Sequence, residues 1–135
     1  MSSQLDLRGY HHVTLTVTDI NRARDFYTGI LGLKVIAEVS PTRFVAANDH
    51  LLIGVTEPPD PAQAIDDDRF SEHRAGLDHL AFAVESRAEL ERARQLLSEA
   101  GVPCGEIKEL AGYGLLVMAF RDPDNIQLEL TAPVD

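Results

Sequence analysis

The chain is predicted to be an α+β protein built from two βαβββ modules, and three observations carry that prediction. Two segments, His12-Val-Thr-Leu-Thr-Val17 and His79-Leu-Ala-Phe-Ala-Val84, share one layout: a histidine, then bulky apolar residues at every second position. A helix-periodic stretch follows each segment, and three strand-like runs follow each helix. The offset from His12 to His79 is also the offset from Val17 to Val84, so the repeat keeps register through the strand. With 135 residues, 44% hydrophobic and 25% charged, the chain suits one domain over residues 1–135 with an ordinary core.

The elements follow in order. In the first strand Val13, Leu15 and Val17 face the core, while His12, Thr14 and Thr16 take the opposite face; His11 alternates to the apolar side. Asp19 is the expected N-cap of the first helix, Ile20, Ala23, Tyr27, Ile30 and Leu31 form its apolar side, and Gly32 closes it. Strands at about 34–39, 43–47 and 51–56 complete a first module of about 9–57. Residues 58–75, with Pro58-Pro59 and the acidic Asp66-Asp-Asp68, read as a solvated linker. The second module, about 76–132, opens with Leu80, Phe82 and Val84 on one face and His79, Ala81 and Ala83 on the other. Ser86 and Glu89 have capping-box spacing, Leu90, Ala93, Leu96, Leu97 and Ala100 form the stripe, and Gly101 stops the helix. Strands are expected at about 105–110, 114–120 and 126–131, with Asp122-Pro-Asp-Asn125 turning the last two into a hairpin.

Acidic residues outnumber basic ones 22 to 12, a net charge of −10. Such a surface repels phosphate backbones and anionic lipid, so neither nucleic acid nor membrane is an expected partner. Cys104 is the single cysteine, which rules out an intrachain disulfide and fits a cytoplasmic protein. The opening residues carry no apolar leader core, and no apolar run is long enough to span a bilayer.

Chemistry is expected on the less apolar sheet face. In the final strand Ile126, Leu128 and Leu130 continue the apolar row, so Gln127 and Glu129 point the other way, with His12 and His79. If that face curves into a cleft, two imidazoles and a carboxylate converge there. The set suits a divalent metal such as Fe(II), Mn(II), Ni(II) or Zn(II), with open positions for a substrate. Each residue alone has a plainer reading, a strand-start histidine or a surface glutamate. Joint placement at matching points of a duplicated unit is what singles them out. His50, His73 and Cys104 read as structural. Arg43 and Arg121 flank strands, where either could meet a carboxylate. Tyr113, between Gly112 and Gly114, is a candidate substrate contact or a plain turn tyrosine.

His12-Val-Thr-Leu-Thr-Val-Thr-Asp19, Ala23-Arg-Asp-Phe-Tyr27, Leu31-Gly-Leu33, Gly76-Leu-Asp-His79 and Arg121-Asp-Pro-Asp-Asn-Ile-Gln-Leu-Glu129 together resemble the vicinal oxygen chelate superfamily. That family holds glyoxalase I, fosfomycin-resistance enzymes, extradiol dioxygenases, methylmalonyl-CoA epimerase and bleomycin-binding proteins. The resemblance implies sheets curled around a metal cleft, with His12, His79 and Glu129 as metal ligands. It further implies a homodimer, in which His12 comes either from the same chain or from the partner. The fourth ligand point of glyoxalases falls on Gly54, so three protein ligands are expected. Thr14 matches a threonine beside the substrate in fosfomycin-resistance enzymes; Thr14 and Gln127 are candidate contacts to ligand or substrate. Ring-cleaving dioxygenases keep a tyrosine where this chain has Ala119.

These features favour a metal-dependent enzyme acting on a small oxygen-bearing molecule. Dioxygenase-like chemistry with Fe(II) is the first expectation, and a lyase or thiol transferase using Mn, Ni or Zn the second. The third is a drug-binding protein of the bleomycin-resistance kind, which suits an acidic chain but not one with 6% aromatics.

Overall fold

The alternation at Val13, Leu15 and Val17 builds the first strand, β1 (Val13–Thr16), in a computed structural model that describes residues 3–135. After it come β2 (Lys34–Ser40), β3 (Arg43–Ala47) and β4 (Leu52–Thr56), which assemble one sheet in the order β1-β4-β3-β2. The second half repeats the plan: β5 (Leu80–Ala83), β6 (Lys108–Leu110), β7 (Leu115–Arg121) and β8 (Gln127–Pro133) form a sheet in the order β5-β8-β7-β6. In both sheets the first and last strands pair in parallel and the others antiparallel, so the expected βαβββ modules are the architecture found. Neither sheet closes, which leaves β1 and β5 as edges.

The helices depart from expectation in instructive ways. Asp19 does cap α1 (Ile20–Arg24), its carboxylate accepting from the Asn21 and Arg22 N–H groups at 3.0 Å. The helix then widens into a π-helical segment over Asp25–Ile30, where Leu31 N–H donates to Phe26. A wider turn rotates successive residues less far, so the adjacent Phe26 and Tyr27 both reach the core. In α2 (Arg87–Glu99), Leu90 and Leu97 are buried and Ala93 half-buried, but Leu96 and Ala100 are exposed. The stripe is narrower than expected because the helix covers one sheet from one side only. β6 is shorter than the expected 105–110, and Cys104 holds a single bridge to Phe120 before it.

One core lies under both helices. Tyr27 and Phe44 of the first half and Leu116, Met118, Phe120 and Leu128 of the second are almost fully buried, and Phe26 stacks near Phe120. At a transfer free energy of about 25 cal/mol per Å² of apolar surface, such side chains stabilise the fold by about 1.5–3 kcal/mol each.

A polar knot fastens the halves together. Asp122 and Asp124, in the turn between β7 and β8, are both buried. Asp122 accepts from the Tyr27 hydroxyl at 2.7 Å and from the Asp124 and Ile126 N–H groups at 2.8 Å. Asp124 accepts from Thr18, through both its N–H and its hydroxyl, and from Arg22 at 3.1 Å. Burial, then the Asp122 carboxylate, holds the Tyr27 phenol far above its usual range, so it stays a donor. Burial also raises Asp122, although the Tyr27 hydrogen bond pulls the other way.

The segment 58–75 is not merely a solvated linker. Its acidic run is exposed, but Phe70 is half-buried and exchanges hydrogen bonds with Asp124 and Asn125. Glu72 meets Arg121 through two hydrogen bonds, at 3.0 and 3.1 Å. These contacts lay the end of the segment against the second sheet.

Candidate metal centre

The second module brings two of the three expected ligands together. β5 runs parallel to β8 with Ala81 opposite Glu129, which sets His79 just ahead of that pair on the same face. His79 Nε2 lies 3.9 Å from Glu129 Oε2. Ligand bonds to a divalent cation run about 2.0–2.2 Å for imidazole nitrogen and carboxylate oxygen, so two donors on one tetrahedral ion stand about 3.4 Å apart, and this pair would close by roughly 0.5 Å to share one. The other donor atoms are occupied. Glu129 Oε1 accepts from the Thr131 hydroxyl at 3.2 Å, and His79 Nδ1 lies 2.7 Å from Asp78 Oδ1. An ionised carboxylate only accepts, so Nδ1 is the donor of this pair, and in the neutral ring the lone pair then lies on Nε2, the side facing Glu129.

His12 stands apart from this pair. It is exposed, and its Nδ1 lies 2.8 Å from Nδ1 of His11, the two rings meeting edge to face. His11 is therefore exposed and paired, not turned into the core. Among the described residues, no group of three or more His, Cys, Asp or Glu side chains lies close enough together to hold a metal ion. The expected convergence of three residues is not found within one chain. The reason is topological: His12 and His79 enter on edge strands of two separate, open sheets.

The register sets Gly54 in the first module at the step that Glu129 holds in the second. β1 runs parallel to β4 with Thr14 opposite Gly54, the same step at which Ala81 opposes Glu129. A Cβ at residue 54 would come 2.7 Å from the Thr14 hydroxyl. One module thus pairs a small residue with glutamate, and the other pairs threonine with glycine. Gly54→Ala is expected to lower stability by about 1–3 kcal/mol, the usual cost of overpacking. In thermal melts the double variant T14A/G54A should lose less than the sum of the singles, because Thr14 is what the new methyl meets.

The other candidates fall in different places. Gln127 faces Asp78, donating to its carbonyl and its carboxylate at 3.1 Å, and its own carbonyl lies 3.5 Å from Arg121. Arg121 pulls the Glu72 carboxyl down to about 2, chiefly through their hydrogen bonds. Tyr113 is 77% exposed beside β7, at the end far from the Arg121–Gln127 step that adjoins His79. Thr14 and Thr16 border a cleft of about 610 Å³, whose other wall is formed by Pro58, Pro59, Ile65 and Phe70. Sequence reasoning missed Asp78 and Glu72. The available signal for Asp78 was a hydrogen-bond acceptor directly before a candidate ligand; for Glu72, distant along the chain, there was none.

Residues 9–130 match the family model described as Glyoxalase/Bleomycin resistance protein/Dioxygenase superfamily. The chain is 32% identical over 130 residues to the uncharacterized protein YwkD of Bacillus subtilis, covering 92% of this chain and 96% of that one. The metallothiol transferase FosB of Staphylococcus saprophyticus is 27% identical over 124 residues, covering 92% of this chain and 76% of its own length. Among solved structures, a glyoxylase/bleomycin resistance protein/dioxygenase domain from Frankia sp. EAN1pec superposes with a TM-score of 0.82 at 34% identity, covering 96% and 95% of the two chains.

Proposed function

We propose, from the premise that the chain belongs to the Glyoxalase/Bleomycin resistance protein/Dioxygenase superfamily, that it is a metal-dependent enzyme acting on a small oxygen-bearing molecule. The observation that carries this reading is the 3.9 Å approach of His79 Nε2 to Glu129 Oε2, with the remaining donor atoms of both side chains engaged elsewhere. His12 completes the ligand set from a second copy of the chain, making the active species a homodimer. Three features support that arrangement: His12 is exposed, β1 and β5 are open edges, and Leu5, Leu7 and Tyr10 just before His12 are left in solvent.

Two imidazoles and one carboxylate fit Fe(II) first, with Mn(II), Ni(II) and Zn(II) as further fits. When bound, the ion supplies Lewis acidity to substrate oxygens. The chain's own residues do the rest. Thr131 orients Glu129, Thr14 offers a hydroxyl on the neighbouring sheet, and Gly54 leaves the space that hydroxyl needs. Gln127 serves behind the site, against Asp78, and Tyr113 is outside it unless a partner chain brings it in.

Dioxygenase-like chemistry is the finer reading that this donor set favours. Thiol transfer is the second, favoured by the likeness to FosB and by Ala119 in place of the dioxygenase tyrosine. A cytoplasmic setting accompanies both, in keeping with the single Cys104.

Reconstitution with each of the four metals, elemental analysis, and assays of catechols and α-keto acids for oxygen uptake, then of epoxides for thiol consumption, test the proposal. Stoichiometric metal with oxygen uptake supports the dioxygenase reading; metal with thiol consumption supports the transferase. A protein that retains none of the four metals would be a binding protein, and the enzyme reading would fall.

A further inference from the structure

We infer that Asp78 is a positioning residue for the metal centre, fixing the tautomer and direction of His79, and that Gln127 holds Asp78 in place. The inference rests on the metal reading above and adds a part that the reading does not contain. His79 is 40% exposed at the start of an edge strand, so packing alone leaves its ring free to turn. What stops it is the 2.7 Å hydrogen bond from Nδ1 to Asp78 Oδ1. Adjacent residues of an extended strand point to opposite faces, so a neighbour normally cannot restrain a ring in this way. Asp78 does so because both residues precede β5, where strict alternation has not begun, and because it is itself held from β8. Gln127 Nε2 donates to both its backbone carbonyl and its carboxylate at 3.1 Å. Behind Gln127 stands Arg121, fixed by Glu72, so the hydrogen-bonded series runs from residues 58–75 up to the imidazole.

The duplication repeats the arrangement. In the first module the residue before the candidate ligand, His11, also engages Nδ1, at 2.8 Å, and leaves Nε2 of His12 free. Both modules thus engage Nδ1 of the candidate ligand through residue i−1, by a carboxylate in the second and by a second imidazole, whose donor depends on the tautomers, in the first. A carboxylate on the outer nitrogen of a ligating imidazole fixes its orientation and raises its basicity, and losing such a partner typically weakens metal binding about 10–100-fold.

The test uses the metal-free protein and two readouts. Long-range ¹⁵N–¹H correlation spectra of the imidazoles should show His79 protonated at Nδ1 in the unaltered protein and in Asp78→Asn, whose amide oxygen still accepts. In Asp78→Ala the proton should move towards Nε2. Titration with Zn(II) alone should show a loss of about 10–100-fold in affinity for Asp78→Ala, recovery in Asp78→Asn, and a smaller loss for Gln127→Ala. Unchanged tautomer and Zn(II) affinity in Asp78→Ala would overturn the inference. His79→Ala separates the two ideas. If it abolishes binding while Asp78→Ala does nothing, the metal centre stands and the positioning role falls. If His79→Ala keeps full affinity, the metal reading falls, and the tautomer spectra still decide what Asp78 does. Should Asp78→Ala fail to fold, Gln127→Ala carries the test, and an unmoved tautomer with full Zn(II) affinity there overturns the series.

Discussion

Glu129→Gln and His79→Ala are each expected to lower divalent-metal affinity by more than the roughly 100-fold typical of losing a supporting partner, because the first removes the only charged donor of the set and the second removes a donor outright. Glutamine keeps the size of the side chain and its contact with Thr131 but offers a neutral oxygen, so the loss reads charge and donor strength rather than folding. Calorimetric titration of metal-free protein measures it; affinity within threefold of the unaltered chain would remove Glu129 from the site. Glu129→Gln, paired with His12→Ala, decides where His12 belongs. If each site takes His12 from one chain and His79 with Glu129 from the other, a mixture of H12A and E129Q dimers, unfolded and refolded together, regains fully intact sites. If each site is built within one chain, no mixture regains any. Metal bound per chain, counted before and after mixing, separates the two.

Asp122→Ala should cost about 3 kcal/mol or more in stability, the larger effect expected outside the metal centre. It deletes three hydrogen bonds at a buried site and strands the Tyr27 hydroxyl in the core. A lost hydrogen bond costs about 1 kcal/mol, and a buried group left unpaired costs about 1–3 kcal/mol more. Tyr27→Phe removes one of these bonds and should cost about 1–3 kcal/mol. The pH dependence has a definite sign. Burial raises the Asp122 pKa above its unfolded value, so the folded chain takes up the proton more readily than the unfolded one. The contribution of Asp122 therefore falls as pH rises through that range. Denaturant melts should show a larger penalty for Asp122→Ala near about pH 4 than at about pH 7. An equal or smaller penalty at the lower pH would mean that burial does not govern this carboxyl.

The two results concern different layers of the molecule, and they were unequally visible in the sequence. Alternation at residues 13–17 and 80–84 specified strands because period two with one bulky face has no other stable home. The capping residues Asp19 and Ser86 marked where helices start, and both accept the backbone N–H groups expected of them. The alignment of Gly54 with Glu129 was also legible, because a duplicated unit must repeat its pairing register. Local misreadings had local causes. The widened turn at Asp25–Ile30 answers to two neighbouring aromatics that the core takes together, which helical periodicity cannot anticipate.

By itself, then, the order of residues determined the two modules and their strand faces, and on those faces it put forward His12, His79 and Glu129 as the candidates that the proposal above takes up. Those are consequences of spacing along a strand, and spacing is written in the chain. Tertiary structure alone decided which of the three meet. It joined His79 to Glu129 through the β5–β8 pairing and left His12 on another sheet's edge. It also buried Asp122 against Tyr27 and ran Glu72, Arg121, Gln127 and Asp78 up to the His79 ring. Contacts between residues that are distant in sequence depend on how sheets are laid side by side, and no period within the chain encodes that.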